Sequence, residues 1–276
     1  MSIRPEPERF PPEGDSLNDR TQAFAGLTEN YRAHRPDYPS KALDVLRDHV
    51  LDGVADPRLL LDVGSGTGIS TRALRAVFGP DPRVVGVEPG HDMRATARDE
   101  GGVEYVDARA EEIPFSDASA ALVLTAQAVH WFDRPAFFAE AVRLLEPGGT
   151  LAVLNNDRDL RSAFVDEYET LLERYSPGYD RHYRSYDLVG ELSAVEGLTG
   201  AVEHTLDWTR ELTPDGHLGM AMSSSRVAAA AREVGAERLR TELRAMAAHH
   251  FPDGRVLFPY TTRMVLARRV RAHRAG

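Results

Sequence analysis

The stretch that decides the fold is Leu60-Leu-Asp-Val-Gly64-Ser-Gly66-Thr-Gly68-Ile-Ser-Thr-Arg72, an apolar run followed by three glycines at alternate positions and then an amphipathic segment. Glycines in such a turn allow the backbone to approach a ligand with no Cβ in the way. A carboxylate, Glu88, ends the next apolar run, twenty residues beyond Gly68. An acid at the tip of a second strand can accept both hydroxyls of a ribose. The pattern therefore predicts a site for a nucleoside cofactor.

The segments around this loop predict the fold class. From Arg58 to Asn155, short apolar runs alternate with longer amphipathic ones, which indicates βαβ units and a parallel sheet. Late strands at about 202–208 and 256–270 complete the sheet, and helical stretches at about 156–200 and 213–248 cover it. We expect an α/β protein with a doubly wound, mostly parallel sheet of seven strands and a helical cover.

Composition restricts the partners of the chain. It has 276 residues, no cysteine, and 43 acidic against 33 basic residues, which excludes thiolate chemistry and argues against general nucleic-acid binding. Its ten histidines show no metal-ligand spacing, so no metal is expected. No apolar stretch is long enough for a signal peptide or a membrane span, so we expect a cytoplasmic protein acting on a small molecule. The oligomeric state stays open.

The chain is expected to form one folded unit after a short leader. Prolines among charged residues predict that residues 1–20 form a flexible leader. Residues 21–276 are then a single domain, with its core at about 40–155.

The spacing of the glycines narrows the choice of cofactor. Dinucleotide-binding loops carry G-x-G-x-x-G, whereas this chain has G-x-G-x-G and no P-loop sequence. The segment Leu61–Gly68 resembles the first motif of the class I S-adenosylmethionine-dependent methyltransferases, in the small-molecule branch with the trans-aconitate and ubiquinone-biosynthesis types. The resemblance covers roughly Ala23 to Asn155 well and the tail loosely. It implies S-adenosyl-L-methionine as the cofactor and S-adenosyl-L-homocysteine as its product.

The resemblance also implies a set of cofactor-binding residues. The glycine backbone would hold the methionine part, with Asp62 near its amino group, while Glu88 would bind the ribose and Met93 would pack on the adenine. Arg109 stands where the family usually has an acid that meets the adenine, a departure that leaves Ala110 as the backbone contact. The full set is Tyr31, Arg35, Asp62, Gly64, Ser65, Gly66, Gly68, Glu88, Pro89, Met93, Arg109, Ala110, Thr125 and Gln127.

His130 is the candidate catalytic residue. It follows the fourth predicted strand, at the carboxyl edge where ligands of such sheets collect, and imidazole suits a general base. The alternative is that His130 orders the loop while Trp131 fills the core, and a carboxylate acceptor needs no base. Candidate substrate residues are Trp131, Arg32, Tyr179 and Tyr183.

These residues together predict a methyltransferase that acts on an oxygen of a small molecule, with a carboxylate as one candidate acceptor. Arg32, Arg35, Arg181 and Arg184 fall in segments expected to close over the acceptor, so an acidic protein can hold a basic pocket for an acidic substrate. Two alternatives remain open. One is non-methylating, cyclising or pericyclic chemistry on the same fold, and the other is a non-catalytic cofactor-binding interaction protein.

Overall fold

The computed structural model describes residues 37–97 and 102–271. Its strands are β1 (Leu59–Val63), β2 (Arg83–Val87), β3 (Glu104–Val106), β4 (Ala120–Ala126), β5 (Leu145–Arg158), β6 (Leu198–Leu212) and β7 (Val256–Arg269). Its α-helices are α1 (Ser40–Gly53), α2 (Ile69–Phe78), α3 (His91–Thr96), α4 (Arg134–Leu144), α5 (Ala163–Tyr175), α6 (Leu188–Ser193), α7 (Pro214–Met222), α8 (Ser225–Val234) and α9 (Ala236–His250).

The seven strands form one sheet in the order β3-β2-β1-β4-β5-β7-β6. Strands β1 to β5 pair in parallel, and β7 runs antiparallel between β5 and β6. Because β2 and β4 lie on opposite sides of β1, the chain reverses its direction of winding there, and ligands of such sheets bind at this switch point. The predicted doubly wound, mostly parallel α/β fold is confirmed.

Two strands are longer than the sequence pattern predicted. Strand β5 continues to Arg158, and β6 spans Leu198–Leu212 where 202–208 was expected. Most of β6 is exposed because it is an edge strand, so polar residues fill it and its apolar periodicity is weak. The helical cover is correspondingly shorter than predicted.

Burial explains why the centre of the sheet was easy to recognise. Every residue of β1 and β4 is buried, as expected of central parallel strands covered by helices on both faces. A second apolar cluster lies among the cover helices around Phe164, Tyr168 and Phe258. The cover therefore has a core of its own, packed at the β5–β7 half of the sheet.

A helix cap fixes the loop that carries His130. Helix α4 has proline in its first turn, and the Asp133 carboxylate accepts a hydrogen bond from the Ala136 backbone NH at 3.2 Å. A single 3-10 turn, Val129–Trp131, joins β4 to this cap. The cap holds His130 and Trp131 at the carboxyl edge of the sheet.

Several expectations fall on residues that the structure does not describe. The predicted leader at 1–20 and the residues Tyr31, Arg32 and Arg35 lie outside the described ranges. No helix within those ranges is long and apolar enough to cross a membrane.

Candidate active site

The glycine loop is tied to the neighbouring strand by backbone hydrogen bonds. The NH groups of Gly64 and Ser65 both donate to the carbonyl of Val87, at 2.8 and 3.1 Å, and the NH of Gly66 donates to the Glu88 carboxylate at 3.0 Å. Gly64, Gly66 and Gly68 all have positive φ, between 55° and 79°. The loop is therefore shaped by its own chain and attached to the tip of β2.

Two of these glycines differ in what surrounds them. A Cβ on Gly64 would lie 2.5 Å from the Cβ of Ala128, so this position is closed by packing. A Cβ on Gly66 would meet nothing within 4 Å, because this position faces open space at the edge of the loop. Such an uncovered stretch of backbone is suited to close approach by a ligand.

Replacing Gly66 with alanine is therefore expected to weaken cofactor binding more than it weakens the fold. The left-handed backbone conformation should cost about 1 to 2 kcal/mol of stability. Gly79, at the far end of α2, is a matched control because it also has positive φ and open space around its Cβ. Thermal unfolding should show a loss of stability for both variants, while calorimetry with S-adenosylhomocysteine should show weaker binding only for Gly66→Ala. Equal affinity in both variants would remove Gly66 from the site.

Glu88 holds the loop through both of its carboxylate oxygens. One accepts from the NH of Gly66 and the other from the NH of Gly90, at 3.0 and 2.8 Å. Burial raises the pKa of the Glu88 carboxyl, and the two backbone NH donors oppose that change. Arg94, which the sequence reasoning missed, donates to the Glu88 carbonyl and to Asp107, and so fixes the start of α3.

Asp62 is the second-last residue of β1, just before the glycine loop. It is fully buried, and its Oδ2 accepts from the hydroxyls of Ser70 and Thr71 at 2.7 and 2.6 Å. Its Oδ1 is also buried, and no described residue donates to it. Burial raises the pKa of this carboxyl to about 6, opposed by the two hydroxyls. Buried oxygens that accept no hydrogen bond are uncommon in folded proteins. A positively charged group bound nearby would stabilise Asp62 Oδ1.

A cavity of about 90 Å³, which we call the cofactor cleft, lies over the glycine loop. Five of the predicted cofactor residues line it: Gly64, Ser65, Gly66, Met93 and Gln127. Tyr38 and Ser70 also line it and were not predicted. The Ser65 hydroxyl is buried with no hydrogen-bond partner among the described residues. The open backbone at Gly66 and the two unsatisfied oxygens, Ser65 Oγ and Asp62 Oδ1, fit a polar, cationic cofactor.

Other predicted residues lie apart from the cleft lining. Arg109 is exposed and its nearest acidic partner is Glu111, at 3.4 Å, while Ala110 is buried in the apolar core. Thr125 is fully buried near the end of β4. Pro89 is partly buried beside Glu88, and Gly68 caps α2. Contacts of these residues with a cofactor stay predictions.

A second cavity of about 220 Å³, the acceptor cavity, adjoins the cofactor cleft. Gln127 and Trp131 line both spaces, so the two meet at the end of β4. This cavity is lined by His130, Tyr179 and Tyr183, which the sequence proposes as catalytic and substrate residues, and these roles stay predictions. It also contains five arginines, namely Arg158, Arg181, Arg184, Arg226 and Arg263.

Gln127 occupies the junction in an unusual conformation. Its φ of 59° is in the left-handed region, which is costly for a residue with a side chain. The amide nitrogen donates to the Asn156 carbonyl at 3.1 Å, and the amide oxygen accepts from Arg184. Hydrogen bonds at both ends of the side chain fix this residue between the sheet and the cover.

Sequence reasoning missed much of the cavity wall. Arg158 ends β5, Arg226 begins the alanine-rich α8, and Glu169 lies on α5. Glu169 pairs with Arg158 at 2.6 Å and accepts from the Tyr179 hydroxyl at 2.7 Å. A charged residue at the carboxyl end of a strand is a usable signal for Arg158. Arg226, in an alanine-rich helix with a second arginine at Arg232, gives no such signal.

The fold and the cleft define a class I S-adenosylmethionine-dependent methyltransferase, and the chain belongs to that family. Residues 61–153 match the family model described as a methyltransferase domain. An uncharacterized methyltransferase of Mycobacterium tuberculosis is 34% identical over 215 residues, covering 76% of this chain and 79% of the relative. The cofactor of the family is S-adenosyl-L-methionine.

Other similar proteins and solved structures have more specific names. The malonyl-[acyl-carrier protein] O-methyltransferase of Hahella chejuensis is 39% identical over 159 residues, which is 54% of each chain. Among solved structures, a provisionally assigned type II methyltransferase from Anaeromyxobacter dehalogenans matches with a TM-score of 0.64 and 28% identity, covering 87% of this chain and 99% of that one. A Haemonchus contortus phosphoethanolamine N-methyltransferase solved with S-adenosyl-L-methionine (TM-score 0.53, 18% identity, 94% and 61% covered) shares the fold.

Proposed function

We propose that this methyltransferase acts on a small acidic molecule and transfers the methyl group to oxygen, most directly to a carboxylate. The observation that carries the proposal is the opposite charge of two adjoining spaces. The carboxylates of Asp62 and Glu88 contact Ser70 and Gly66 in the lining of the cofactor cleft. The acceptor cavity is lined by five arginines and by only two acidic residues, Asp157 and Glu169, so its lining is basic. A cationic cofactor and an anionic acceptor would thus be brought together at Gln127 and Trp131.

Methyl transfer from the cofactor requires mainly that the acceptor oxygen be aligned with the methyl group. S-adenosylmethionine supplies a methyl group on a positively charged sulfur, and the acceptor oxygen takes it with its own electron pair while the S–C bond breaks. A carboxylate becomes a neutral ester in this way and releases no proton. Gln127 and Trp131 would therefore serve by shaping the passage between the two spaces and excluding water from it.

A distant relative supports oxygen as the receiving atom. The Hahella chejuensis protein is named as an O-methyltransferase of malonyl-[acyl-carrier protein]. The matched region spans about half of each chain, so this similarity supports only the type of reaction. The chemical class of the acceptor is inferred from the residues that line the cavity. The arginines of that cavity favour an acid.

The proposal is tested by comparing acids with their neutral analogues. Short carboxylic acids, the matching primary amides and the matching alcohols are each incubated with S-adenosylmethionine, and S-adenosylhomocysteine is quantified. We expect the acids to react at least about a hundredfold faster in kcat/KM, which corresponds to about 3 kcal/mol of discrimination. Faster reaction of the alcohols or the amides would contradict the proposal.

His130 is expected to position the acceptor in this reaction without acting as its base. Its ring contacts Trp131 and Tyr183, with centroids 5.0 and 5.6 Å away, so it forms part of the cavity wall. Changing His130 to Ala should lower kcat/KM for an acid by about tenfold, by the same factor from pH 6 to pH 9. A loss confined to the pH range in which the wild-type imidazole is neutral would instead identify His130 as a general base.

A further inference from the structure

We propose that Asn156 and Arg184 form the site that recognises the carboxylate of the acceptor, and that they bind the oxygen that is not methylated. This inference rests on the proposed function, and it names the two side chains that distinguish an acid from a neutral molecule. Asn156, near the end of β5, is a buried residue that lines the acceptor cavity. It is a specificity-determining residue that the sequence reasoning missed.

Hydrogen bonds from the neighbouring strands orient the Asn156 amide. Thr262 lies opposite Asn156 in the β5–β7 pair, and its Oγ1 is 2.6 Å from Asn156 Oδ1. The same Oγ1 accepts a hydrogen bond from the indole Nε1 of Trp208 at 2.9 Å. Since an indole NH can only donate, the buried Thr262 hydroxyl keeps its own hydrogen for the Asn156 oxygen. A separation of 2.6 Å is also typical of O–H···O and short for N–H···O, so the amide oxygen faces Thr262.

The NH2 group of Asn156 is therefore the end of the side chain that is available to a ligand. No described residue accepts a hydrogen bond from it, although the residue is only 7% exposed. Polar groups buried to this extent are normally hydrogen-bonded in folded proteins. The space that Asn156 lines is the acceptor cavity, so an oxygen of a bound molecule is the partner that fits this donor.

Arg184 supplies a second set of donors to the same part of the cavity. Its Nη1 donates to the amide oxygen of Gln127, and the Tyr183 ring lies 5.0 Å from the guanidinium. Asp157 is 3.8 Å from the same Nη1, which is too far for a hydrogen bond. Nη2 donates to no described residue. A carboxylate hydrogen-bonded to this guanidinium, at about 2.8 Å, would interact with it more strongly than Asp157 does.

Gln127 brings these donors together where the two spaces meet. Its amide nitrogen donates to the Asn156 carbonyl at 3.1 Å and its amide oxygen accepts from Arg184, so both residues adjoin one side chain. Gln127 lines the cofactor cleft and the acceptor cavity, and Asn156 and Arg184 line the acceptor cavity. The donors thus lie beside the junction, on the acceptor side of it.

A carboxylate bound here has one oxygen held and one oxygen free to react. The free oxygen supplies the electron pair of the new C–O bond while the S–C bond breaks, and no proton is released. The held oxygen becomes the carbonyl oxygen of the ester. Because an ester has no negative charge, it binds the Arg184 guanidinium less tightly than the acid does, which favours release of the product.

The test compares carboxylic acids with their primary amides as ligands. Butanoate, benzoate and phenylacetate, and the amide of each, are titrated by calorimetry against protein loaded with S-adenosylhomocysteine. We expect at least one acid to bind the wild type at least about tenfold more tightly than its amide. Asn156→Asp keeps the oxygen that faces Thr262 and replaces the NH2 group by a charged oxygen. It should therefore lower this preference for the acid by at least about tenfold.

Further variants separate recognition of the acid from support of the fold. Asn156→Ala removes the NH2 group without adding a charge, and it decides the test if Asn156→Asp does not bind S-adenosylhomocysteine. Arg184→Gln should lose the preference, and Arg184→Lys should keep part of it. The matched control is Asn155→Ala: Asn155 is the preceding residue of β5, is also buried and is absent from the described lining of both spaces, so this variant should keep the preference. A purely structural role of Asn156 would weaken binding of the acid and the amide equally.

The outcomes separate this inference from the proposed function. If acids bind with the expected preference and lose it in the Asn156 variants, but none is methylated, the carboxylate site stands and the proposed reaction is wrong. If the wild type shows no preference for any of the three acids, or if Asn156→Asp and Asn156→Ala both keep it, this inference is overturned whether or not acids are methylated. Unchanged affinity for S-adenosylhomocysteine in a variant shows that it is folded.

Discussion

Replacing Glu88 with alanine is expected to weaken S-adenosylmethionine binding by about 1 to 3 kcal/mol, the largest loss of affinity that the cleft predicts for one side chain. Two effects combine in this variant. The charged acceptor at the tip of β2 is lost, and the backbone NH groups of Gly66 and Gly90 lose the partner that now orders them. Calorimetry with the cofactor and with S-adenosylhomocysteine measures the change.

Two further variants separate these effects. Glu88→Gln keeps an oxygen for one backbone NH and removes the charge, so its affinity should lie between those of the wild type and the alanine variant. Glu104→Ala, on the neighbouring β3, removes an exposed carboxylate that pairs with Arg83, and it should leave binding unchanged. Wild-type affinity in Glu88→Ala would exclude Glu88 from the cofactor site.

Replacing Asp62 with asparagine is expected to stabilise the free protein at neutral pH while weakening its binding of the cofactor. The carboxyl is fully buried and its pKa is raised from 3.8 to about 6, so the folded state must hold a costly charge at pH 7. A shift of this size corresponds to at most about 3 kcal/mol. Asparagine can still accept hydrogen bonds from Ser70 and Thr71, which donate to Asp62 Oδ2.

The direction of the pH effect follows from proton binding. Between the unfolded pKa of 3.8 and the folded pKa of about 6, the folded state holds more protons at Asp62 than the unfolded state does. The contribution of Asp62 to stability is therefore fully present below pH 4 and is lost as the pH rises through 6. Asp62→Asn removes this loss, so its advantage over the wild type should grow between about pH 4 and pH 6 and level off above pH 6.

Urea unfolding at a series of pH values measures this difference. Asp56→Asn changes an exposed aspartate in the loop before β1 and serves as the control, since its surface pair with Arg58 contributes little. An Asp62→Asn variant that is no more stable than the wild type at pH 7, or whose advantage does not change with pH, would contradict the account. Greater stability with weaker cofactor binding would show that the buried charge is kept for function.

The features that could be predicted from the sequence are those that depend on short stretches of neighbouring residues. The loop at Gly64–Gly68, the acid at Glu88 and the turn at His130 each depend on residues close together in the chain, and the central strands are apolar throughout because both of their faces are covered. These features were enough to predict the fold and the glycine-loop residues that line the cofactor cleft. They also placed His130 and Trp131 at the correct edge of the sheet.

The residues of the acceptor cavity were harder to predict from the sequence because the cavity depends on packing between segments that are far apart in the chain. Arg158 on β5 and Arg226 on α8 are far apart in sequence, and only the cover helices bring them to the same space. Tyr179 and Tyr183, from the tyrosine-rich segment that the sequence assigns to a substrate lid, line this cavity, and their contact with a substrate stays a prediction. The segment could not show that Arg181 is neutralised by neighbouring acids, because one of them, Asp166, lies two helical turns before Glu173 on α5.

The most direct test of the account is the chemical identity of the product. The protein is incubated with the carboxylic acid of highest kcat/KM and with S-adenosylmethionine labelled with carbon-13 in its methyl group. The product is examined by mass spectrometry and NMR before and after mild alkaline hydrolysis. We expect the product to gain one labelled methyl group, with one S-adenosylhomocysteine formed for each. Alkali should release the label as methanol, since it cleaves an ester in this way. A labelled methyl group that resists alkali, or a product without the label, would contradict methyl transfer to a carboxylate.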